Sequence, residues 1–276
     1  AEYSDAVAIY PYDGEAYVIE DRKVTTTLPS VQSYTPSCFD PGSNLMAASC
    51  GPDDDKLRFR NACGYLMIRL YGEDKVSKII LRCNSELSIS GPAVLACHAD
   101  GMPQIAMSPD GSDCITLDCG TGIELGKTPA SATQFWFVLP PTKFTKGFTI
   151  TVTDTDDGIF TKTTEKVFEI KRNTIKPISA MKVETVVDWE AIYAKERAAL
   201  IDLYNAVDGK NVPSMQYWCS DRPVKWWGGG IGTNEKGRVS SLNLSTIFLA
   251  VFSPMGNKSL HKNSISSSFF FGFSNS

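Results

Sequence analysis

Apolar and polar residues alternate along much of the first 180 or so positions, with the period of two that is typical of half-buried β-strands. The clearest case joins residues 57–71 to residues 76–83 through the turn formers at 72–75, with Tyr65 and Met67 on the apolar side. A short polar link containing glycine joins antiparallel strands directly. These two runs are therefore predicted to form a hairpin.

Other strands follow from the same pattern. Residues 148–154 and 159–163 flank an Asp-Asp-Gly turn and predict a second hairpin. Residues 133–139 form the most apolar run, which predicts a central strand with Trp136 buried in the core. The prolines between residues 29 and 41 cannot donate to a ladder, so this segment is expected at a sheet edge or in a surface connection.

The period changes to 3.6 near residue 189. Residues 189–206 are rich in Ala, Glu and Leu and predict one amphipathic helix, capped at its start by Asp188 and ended by Gly209 as the residue that tolerates positive φ. A helix after a block of strands predicts a domain boundary, which we place between residues 1–182 and 183–276.

Composition narrows the possible partners. The chain has 276 residues, 42% hydrophobic content, a net charge of -4 and a pI near 5.3, and no cluster of Lys and Arg suited to phosphates. A nucleic-acid partner is therefore not expected. The longest strongly apolar run, residues 247–252, is too short to span a bilayer, so membrane attachment is expected only through a removed leader.

Eight cysteines are spread along the chain without the paired spacing of a zinc site. Two interpretations stay open. The cysteines are buried thiols that pack as small hydrophobes, or one or more pairs form disulfides in an oxidising compartment.

Several segments before residue 183 resemble fimbrillin-like surface proteins of Bacteroidetes. The resemblance rests on residues 10–12 (YPY), 59–64 (FRNACG), 116–120 (TLDCG), 137–141 (FVLPP), 144–154 (FTKGFTITVTD) and 172–177 (RNTIKP). It implies transthyretin-like β-sandwiches, export as a lipoprotein whose lipidated leader is lost, and a place in fimbriae, on the outer membrane or on the cell surface. It supplies no catalytic residue.

A second set of segments resembles the N-terminal cap of leucine-rich-repeat proteins. It comprises residues 196–206 (ERAALIDLYNA), Trp218, residues 226–228 (WWG) and residues 237–245 (GRVSSLNLS). A cap covers the apolar end of a solenoid's first repeat. The repeat spacing stops after Ser245, so the predicted fold is mainly β: a transthyretin-like or fimbrillin-like sandwich, then a small α-helical cap with a truncated or irregular repeat.

Catalytic chemistry finds little support in the sequence. His98 and His261 belong to different predicted domains, and neither lies in a metal or triad motif. The glycine run 228–232 does not follow a strand and open a helix, as a phosphate-binding loop would. We therefore expect no enzyme, no cofactor and no metal site.

Aromatic residues of the second domain are the candidate contacts for a partner. Tyr217, Trp218, Trp226 and Trp227 lie in a polar, glycine-rich context, where flat rings can stack on a sugar or a peptide. Arg222 is expected to add a cation–π contact with Trp226. The alternative is that the tryptophans fill the core of a small cap.

Two functions remain open. The first is a non-enzymatic, adhesive or fimbrial cell-surface protein that contacts other proteins or cell surfaces. The second is a carbohydrate-binding outer-membrane lipoprotein that assists glycan capture.

The phenylalanine cluster of the tail, at residues 269–271 and 273, would form an exposed apolar patch in a monomer. It therefore predicts self-association or packing on the helix near Leu200 and Leu203.

Overall fold

The computed structural model describes residues 6–20, 22–50, 56–97, 102–228 and 230–243. The chain divides into two compact units, Ala1–Val187 and Asp188–Ser276. The described part of the first unit is built from β-strands, and that of the second contains an α-helix and a short hairpin. The protein is therefore mainly β, as the periodicity predicts.

Most strand pairs of the first unit are antiparallel. Its strands are β1 (Ala6–Tyr10), β2 (Val18–Glu20), β3 (Lys23–Leu28), β4 (Val31–Ser33), β5 (Met46–Cys50), β6 (Arg60–Asn61), β7 (Gly64–Tyr71), β8 (Lys75–Cys83), β9 (Gly91–Cys97), β10 (Pro103–Met107), β11 (Cys114–Glu124), β12 (Thr133–Leu139), β13 (Thr142–Phe144), β14 (Phe148–Asp154), β15 (Ile159–Thr164), β16 (Phe168–Ile170), β17 (Ile175–Pro177) and β18 (Met181–Lys182).

The five-stranded sheet has the order β15-β14-β8-β11-β4. It contains the second predicted hairpin, since β14 pairs with β15. In the turn between them, Oδ1 of Asp154 accepts the amides of Asp156 and Gly158 at 2.7 and 2.8 Å. The strand β4 lies at the edge of this sheet and pairs parallel with β11, which confirms the edge position expected for the proline-rich segment.

The first predicted hairpin is wrong. The strand β7 pairs with β12, β17 and β18, whereas β8 pairs with β11 and β14, so the link at residues 72–75 carries the chain into a different sheet. Apolar residues of both strands meet in one core cluster, which places the strands face to face rather than side by side. Gly72 allows this link, because a Cβ there would lie 2.6 Å from the carbonyl oxygen of Val183.

The larger core of the first unit is shared by the five-stranded sheet and the sheet β12-β7-β17. Leu66, Ile68 and Leu70 of β7 are fully buried in it, with Phe135 and Phe137 of β12. The sequence pattern placed Tyr65 and Met67 on the buried side of β7 instead. Both faces of this strand find cover, since Tyr65 packs into a second core.

That second core joins the other face of β7 and β12 to strands of the two remaining larger sheets, β1-β5-β6 and β10-β9-β3-β2. It contains Leu28, Leu45, Leu95 and Val138, with Trp136 packed against it. The expectation of a central strand around Trp136 is wrong. The strand β12 lies at the edge of its sheet and pairs with β7, and Trp136 is half-buried.

The second unit begins with the predicted helix α1 (Trp189–Ala206). The carboxylate of Asp188 caps its first turn by accepting a hydrogen bond from the amide of Ala191 at 3.0 Å. The expected role of Gly209 is wrong. The residue with positive φ is Asp208, at 51°. Gly209 is needed for close packing instead, because a Cβ there would lie 2.2 Å from Cδ2 of Tyr204.

After the helix, the chain forms single 3-10 turns and then an antiparallel hairpin. The turns are Gly209–Asn211, Pro213–Met215 and Val224–Trp226, and the strands are β19 (Ile231–Thr233) and β20 (Val239–Leu242). The core of this unit is the cluster Leu200, Val212, Met215, Trp218 and Trp227. The expected packing of the tail lies outside the described residues, as do His98, His261 and Gly229.

All eight cysteines fall within the described residues, and each carries a free thiol. Cys63 and Cys119 are buried, and burial raises the pKa of each thiol to about 12. The structure therefore supports the interpretation of these two residues as small hydrophobes, and pairs none of the eight into a disulfide.

Candidate functional site

The five sequence-predicted contact residues all lie in the second unit, and the structure divides them into two groups. Trp218 and Trp227 are buried, with ring centroids 6.0 Å apart. Each indole N–H has a partner: Trp218 donates to the carbonyl of Gly228 at 3.3 Å and Trp227 to that of Arg222 at 2.9 Å. These two tryptophans form the core of a small unit, and no ring face is left for a ligand.

Arg197 of the helix α1 contacts the loop that follows Trp218. The guanidinium of Arg197 lies 4.7 Å from the centroid of the Trp227 ring, a cation–π contact. The same group donates to the carbonyl of Arg222 at 3.1 Å and to that of Ser220. Two hydrogen bonds from this helical side chain therefore hold the main chain of Ser220 and Arg222, and a third contact holds the ring of Trp227.

Tyr217, Arg222 and Trp226 are on the surface. The side chains of Tyr217 and Trp226 are 47% and 61% exposed. Arg222 lies 5.6 Å from the centroid of Tyr217 and not over Trp226 as expected, whereas Lys225 lies 5.9 Å from the centroid of Trp226. We call these two exposed pairs, Tyr217 with Arg222 and Trp226 with Lys225, the aromatic–cationic surface.

This surface combines two kinds of recognition chemistry. The exposed rings offer flat apolar area at a low cost in conformational entropy, and the two cations supply hydrogen-bond donors beside the rings. Because Tyr217 and Trp226 are each followed by a buried tryptophan, the backbone beneath the rings is anchored in the core. The arrangement suits stacking on a sugar ring or on an apolar side chain, with polar groups held alongside.

A further aromatic pair on the helix was missed by the sequence reasoning. Trp189 and Tyr193 stack with centroids 6.0 Å apart and an interplanar angle of 25°. The ammonium of Lys236 lies 5.5 Å from the Trp189 centroid, and the hydroxyl of Tyr193 donates to the Lys236 carbonyl. The signal was present in the sequence, because the two aromatics are four residues apart in a predicted helix.

A half-buried ion pair joins the helix to the hairpin. The carboxylate of Glu196 accepts from Nε of Arg238 at 2.9 Å and from the amide of Val239 at 3.0 Å. The two side chains are only 26% and 19% exposed, Arg238 and Glu196 respectively. The pair therefore orients β20 against the helix.

The described ranges contain neither a cluster of metal ligands nor a membrane-spanning helix. No cluster of three or more His, Cys, Asp or Glu side chains with metal-binding geometry occurs among them. Within the same residues, no helix has the length and apolar character that would let it cross a membrane.

Comparisons with known proteins do not show a family for this chain. No family model and no curated protein matches the chain. A Bacteroides ovatus structure named for a proposed role in cell adhesion aligns at 12% identity and a TM-score of 0.42, over 65% of this chain and 62% of that one. A Bacteroides uniformis structure named in the same way aligns at 18% identity and 0.39, over 66% and 69%.

A leucine-rich repeat protein from Bacteroides thetaiotaomicron also aligns, over 88% of this chain and 33% of that one. The identity is 12% and the TM-score 0.22. This chain thus spans less than two thirds of the first of these structures and one third of the last. At such identities and TM-scores, the similarities establish neither a family nor a function.

Proposed function

We propose that this chain is a non-enzymatic, adhesive protein of the cell surface that contacts other proteins or cells through the aromatic–cationic surface. The observation that carries the proposal is the exposure of Trp226 and Tyr217 beside two cations, while Arg197 holds the main chain of Ser220 and Arg222, which lie between them in sequence. Exposed aromatics and arginine are the residue types enriched at binding hot spots. Rigid support below them lowers the entropy that binding costs.

The finer fold assignment belongs to the same proposal. We infer that the first unit is a fimbrillin-like, transthyretin-like β-sandwich, supported by the larger core, which two of its sheets share. The second unit is inferred to be a leucine-rich-repeat cap with a truncated or irregular repeat, supported by one helix, a tryptophan core and a short hairpin. Export, attachment through a lost lipidated leader, and a fimbrial or outer-membrane position follow from this assignment.

Beads coated with the full chain test the adhesive function. Adhesion to cultured epithelial cells should fall at least about fivefold on Trp226→Ala and on treating the cells with trypsin, because a stacked aromatic anchor contributes 1 kcal/mol or more. The control is Tyr12→Ala, which removes a more exposed aromatic from the first unit. Adhesion that is unchanged by Trp226→Ala would contradict the proposal.

The alternative function is glycan capture, and the exposed indole face of Trp226 is the observation that favours it. A flat apolar ring edged by hydrogen-bond donors suits the face and hydroxyls of a sugar. A glycan array distinguishes the alternatives. Selective micromolar binding on the array that Trp226→Ala abolishes would favour a glycan partner. Adhesion of the beads to cells that trypsin treatment leaves unchanged would then exclude the protein partner.

A further inference from the structure

A cleft of about 460 Å³ opens on the first unit. It is lined by Met46, Phe59, Arg60, Asn61, Met102, Arg172 and Asn173. Among the residues that the structure describes, this lining carries two positive charges and no negative one. Its chemistry therefore differs from that of an ordinary solvated surface, where both signs alternate.

The walls of the cleft are held by main-chain and amide hydrogen bonds. The strand β6 carries Arg60 and Asn61 and pairs with β5. The amide of Asn173, at a φ of 53°, donates to the carbonyl of Cys63 at 2.8 Å. Nδ2 of Asn61 donates to Oδ1 of Asn173 at 2.8 Å, which ties the two walls together.

Two guanidinium groups converge inside this frame. Nη1 of Arg60 and Nη2 of Arg172 lie 3.1 and 3.3 Å from the same atom, Sδ of Met102. Arg172 is positioned further by a 3.0 Å hydrogen bond from Nη1 to the carbonyl of Asn61. A thioether sulfur is a weak acceptor and carries no charge, so it cannot offset the repulsion between two cations at this spacing.

An oxyanion would offset that repulsion. Each guanidinium has five N–H donors in a planar fork, and such forks recognise carboxylates with two parallel hydrogen bonds. Beside the arginines, Phe59 is 43% exposed, and Met46 and Met102 are half-buried. The cleft thus places an apolar wall next to an anion-binding pair.

We propose that this cleft binds a partner polypeptide through an Asp or Glu carboxylate held between Arg60 and Arg172, with a neighbouring apolar side chain of the partner on Phe59. Met, Phe and Arg are the residue types enriched at protein–protein interfaces, which favours a polypeptide over an anionic sugar. The cleft lies on the first unit, so this proposal does not depend on the proposed function of the aromatic–cationic surface.

Isothermal titration of the full chain with acetyl-Phe-Asp-Asp-Phe-amide tests the proposal, with the Asn-Asn peptide as the neutral counterpart. The acidic peptide should bind with a sub-millimolar Kd and at least tenfold more tightly than the neutral one. Arg60→Gln and Arg172→Gln should each weaken binding about tenfold, since each removes a charge-assisted pair. Arg69→Gln is the control, because Arg69 donates to the carbonyl of Pro129 elsewhere on the surface.

Arg172 also holds the opposite wall through its hydrogen bond to the carbonyl of Asn61, so its loss can disturb the fold. Arg172→Lys keeps the charge but not the fork, and it should weaken binding with an unchanged Tm. Equal binding of both peptides, no binding at millimolar peptide, or retention of affinity in Arg60→Gln would each overturn the proposal. Tighter binding of a sulfated disaccharide than of the acidic peptide would overturn the assignment to a polypeptide.

Discussion

The side chain of Gln32 pairs with the main chain of Val138 as if it were a residue of a neighbouring strand. Nε2 of Gln32 donates to the carbonyl of Val138 at 2.8 Å, and the amide of Val138 donates to Oε1 of Gln32 at 2.9 Å. Gln32 is only 1% exposed and belongs to β4, the edge of the five-stranded sheet, whereas Val138 belongs to β12 of another sheet. One amide side chain therefore joins two sheets.

Replacing Gln32 by Ala should lower the free energy of unfolding by about 2 to 4 kcal/mol, because it leaves a buried amide and a buried carbonyl of Val138 unsatisfied. Urea denaturation measures the loss. Gln134→Ala is the matched control, because Gln134 is a half-exposed glutamine of β12, the strand that contains Val138. It should change stability by less than about 0.5 kcal/mol. Equal losses in the two variants would show that the Gln32 amide contributes no special stability.

The strand around Trp136 gives a second prediction. Phe137 is fully buried in the larger core, so Phe137→Ala should cost about 3 to 5 kcal/mol. Trp136 is half-buried, and its Nε1 is enclosed without an acceptor among the described residues. Trp136→Phe removes that unsatisfied donor and should therefore cost less than about 1 kcal/mol. A large loss for Trp136→Phe, measured by the same urea titration, would show that the indole is more deeply packed.

The adjacent tryptophans of the second unit should separate stability from binding. Trp227→Ala should strongly destabilise this unit, by about 3 to 5 kcal/mol, because the ring is fully buried and contacts Arg197. Trp226→Ala should leave stability within about 0.5 kcal/mol, since the ring is exposed. Hydrogen exchange of the amides in α1 measures both. Loss of protection in Trp226→Ala would mean that this ring also supports the unit.

Stability should decline at alkaline pH. The folded state raises the pKa of Cys63 to about 12 by burial, and that of Tyr65 to about 12, also chiefly by burial. The unfolded chain releases the thiol proton from about pH 8.5 upward, while the folded chain retains it. The stabilising contribution is thus complete below that pH, and it falls by about 1.4 kcal/mol per pH unit for the thiol as pH rises towards 12.

Cys63→Ala should flatten this pH dependence by about one proton's slope. Urea denaturation between pH 8 and 10.5 measures the slope, independently of any uniform loss of stability from the smaller side chain. Cys38→Ala serves as the control, because Cys38 is exposed. If both variants keep the wild-type slope, the thiol of Cys63 does not carry the effect.

Local signals in the sequence were read correctly. The cap at Asp188, the bounds of α1 and the hairpin of β14 and β15 depend on residues a few positions apart, where the pattern and the structure coincide. The link at residues 72–75 shows that local signals do not determine which strands pair with each other. Alternation states that β7 and β8 are strands, but it cannot tell side-by-side pairing from packing across a core, which depends on all the other strands.

The candidate site shows the same limit. The sequence brought Tyr217, Trp218, Trp226 and Trp227 together, yet neighbouring aromatic residues differ in exposure, because one fills a core and the next faces solvent. Arg197 contacts the carbonyl of Arg222 and the ring of Trp227 from 20 or more positions away, and no local pattern indicates such contacts. The arginine cleft likewise depends on three distant segments, around residues 60, 102 and 172.

The two-sided burial of β12 has a consequence for how the first unit unfolds. Phe135 and Phe137 pack into one core, whereas Val138 packs into the other, so neither core can open while the strand stays in place. The two cores are thereby coupled through a shared strand, and unfolding of the whole first unit is expected to follow a single cooperative transition. Any one-residue insertion near Gln134 would exchange the two faces and mispack both cores simultaneously.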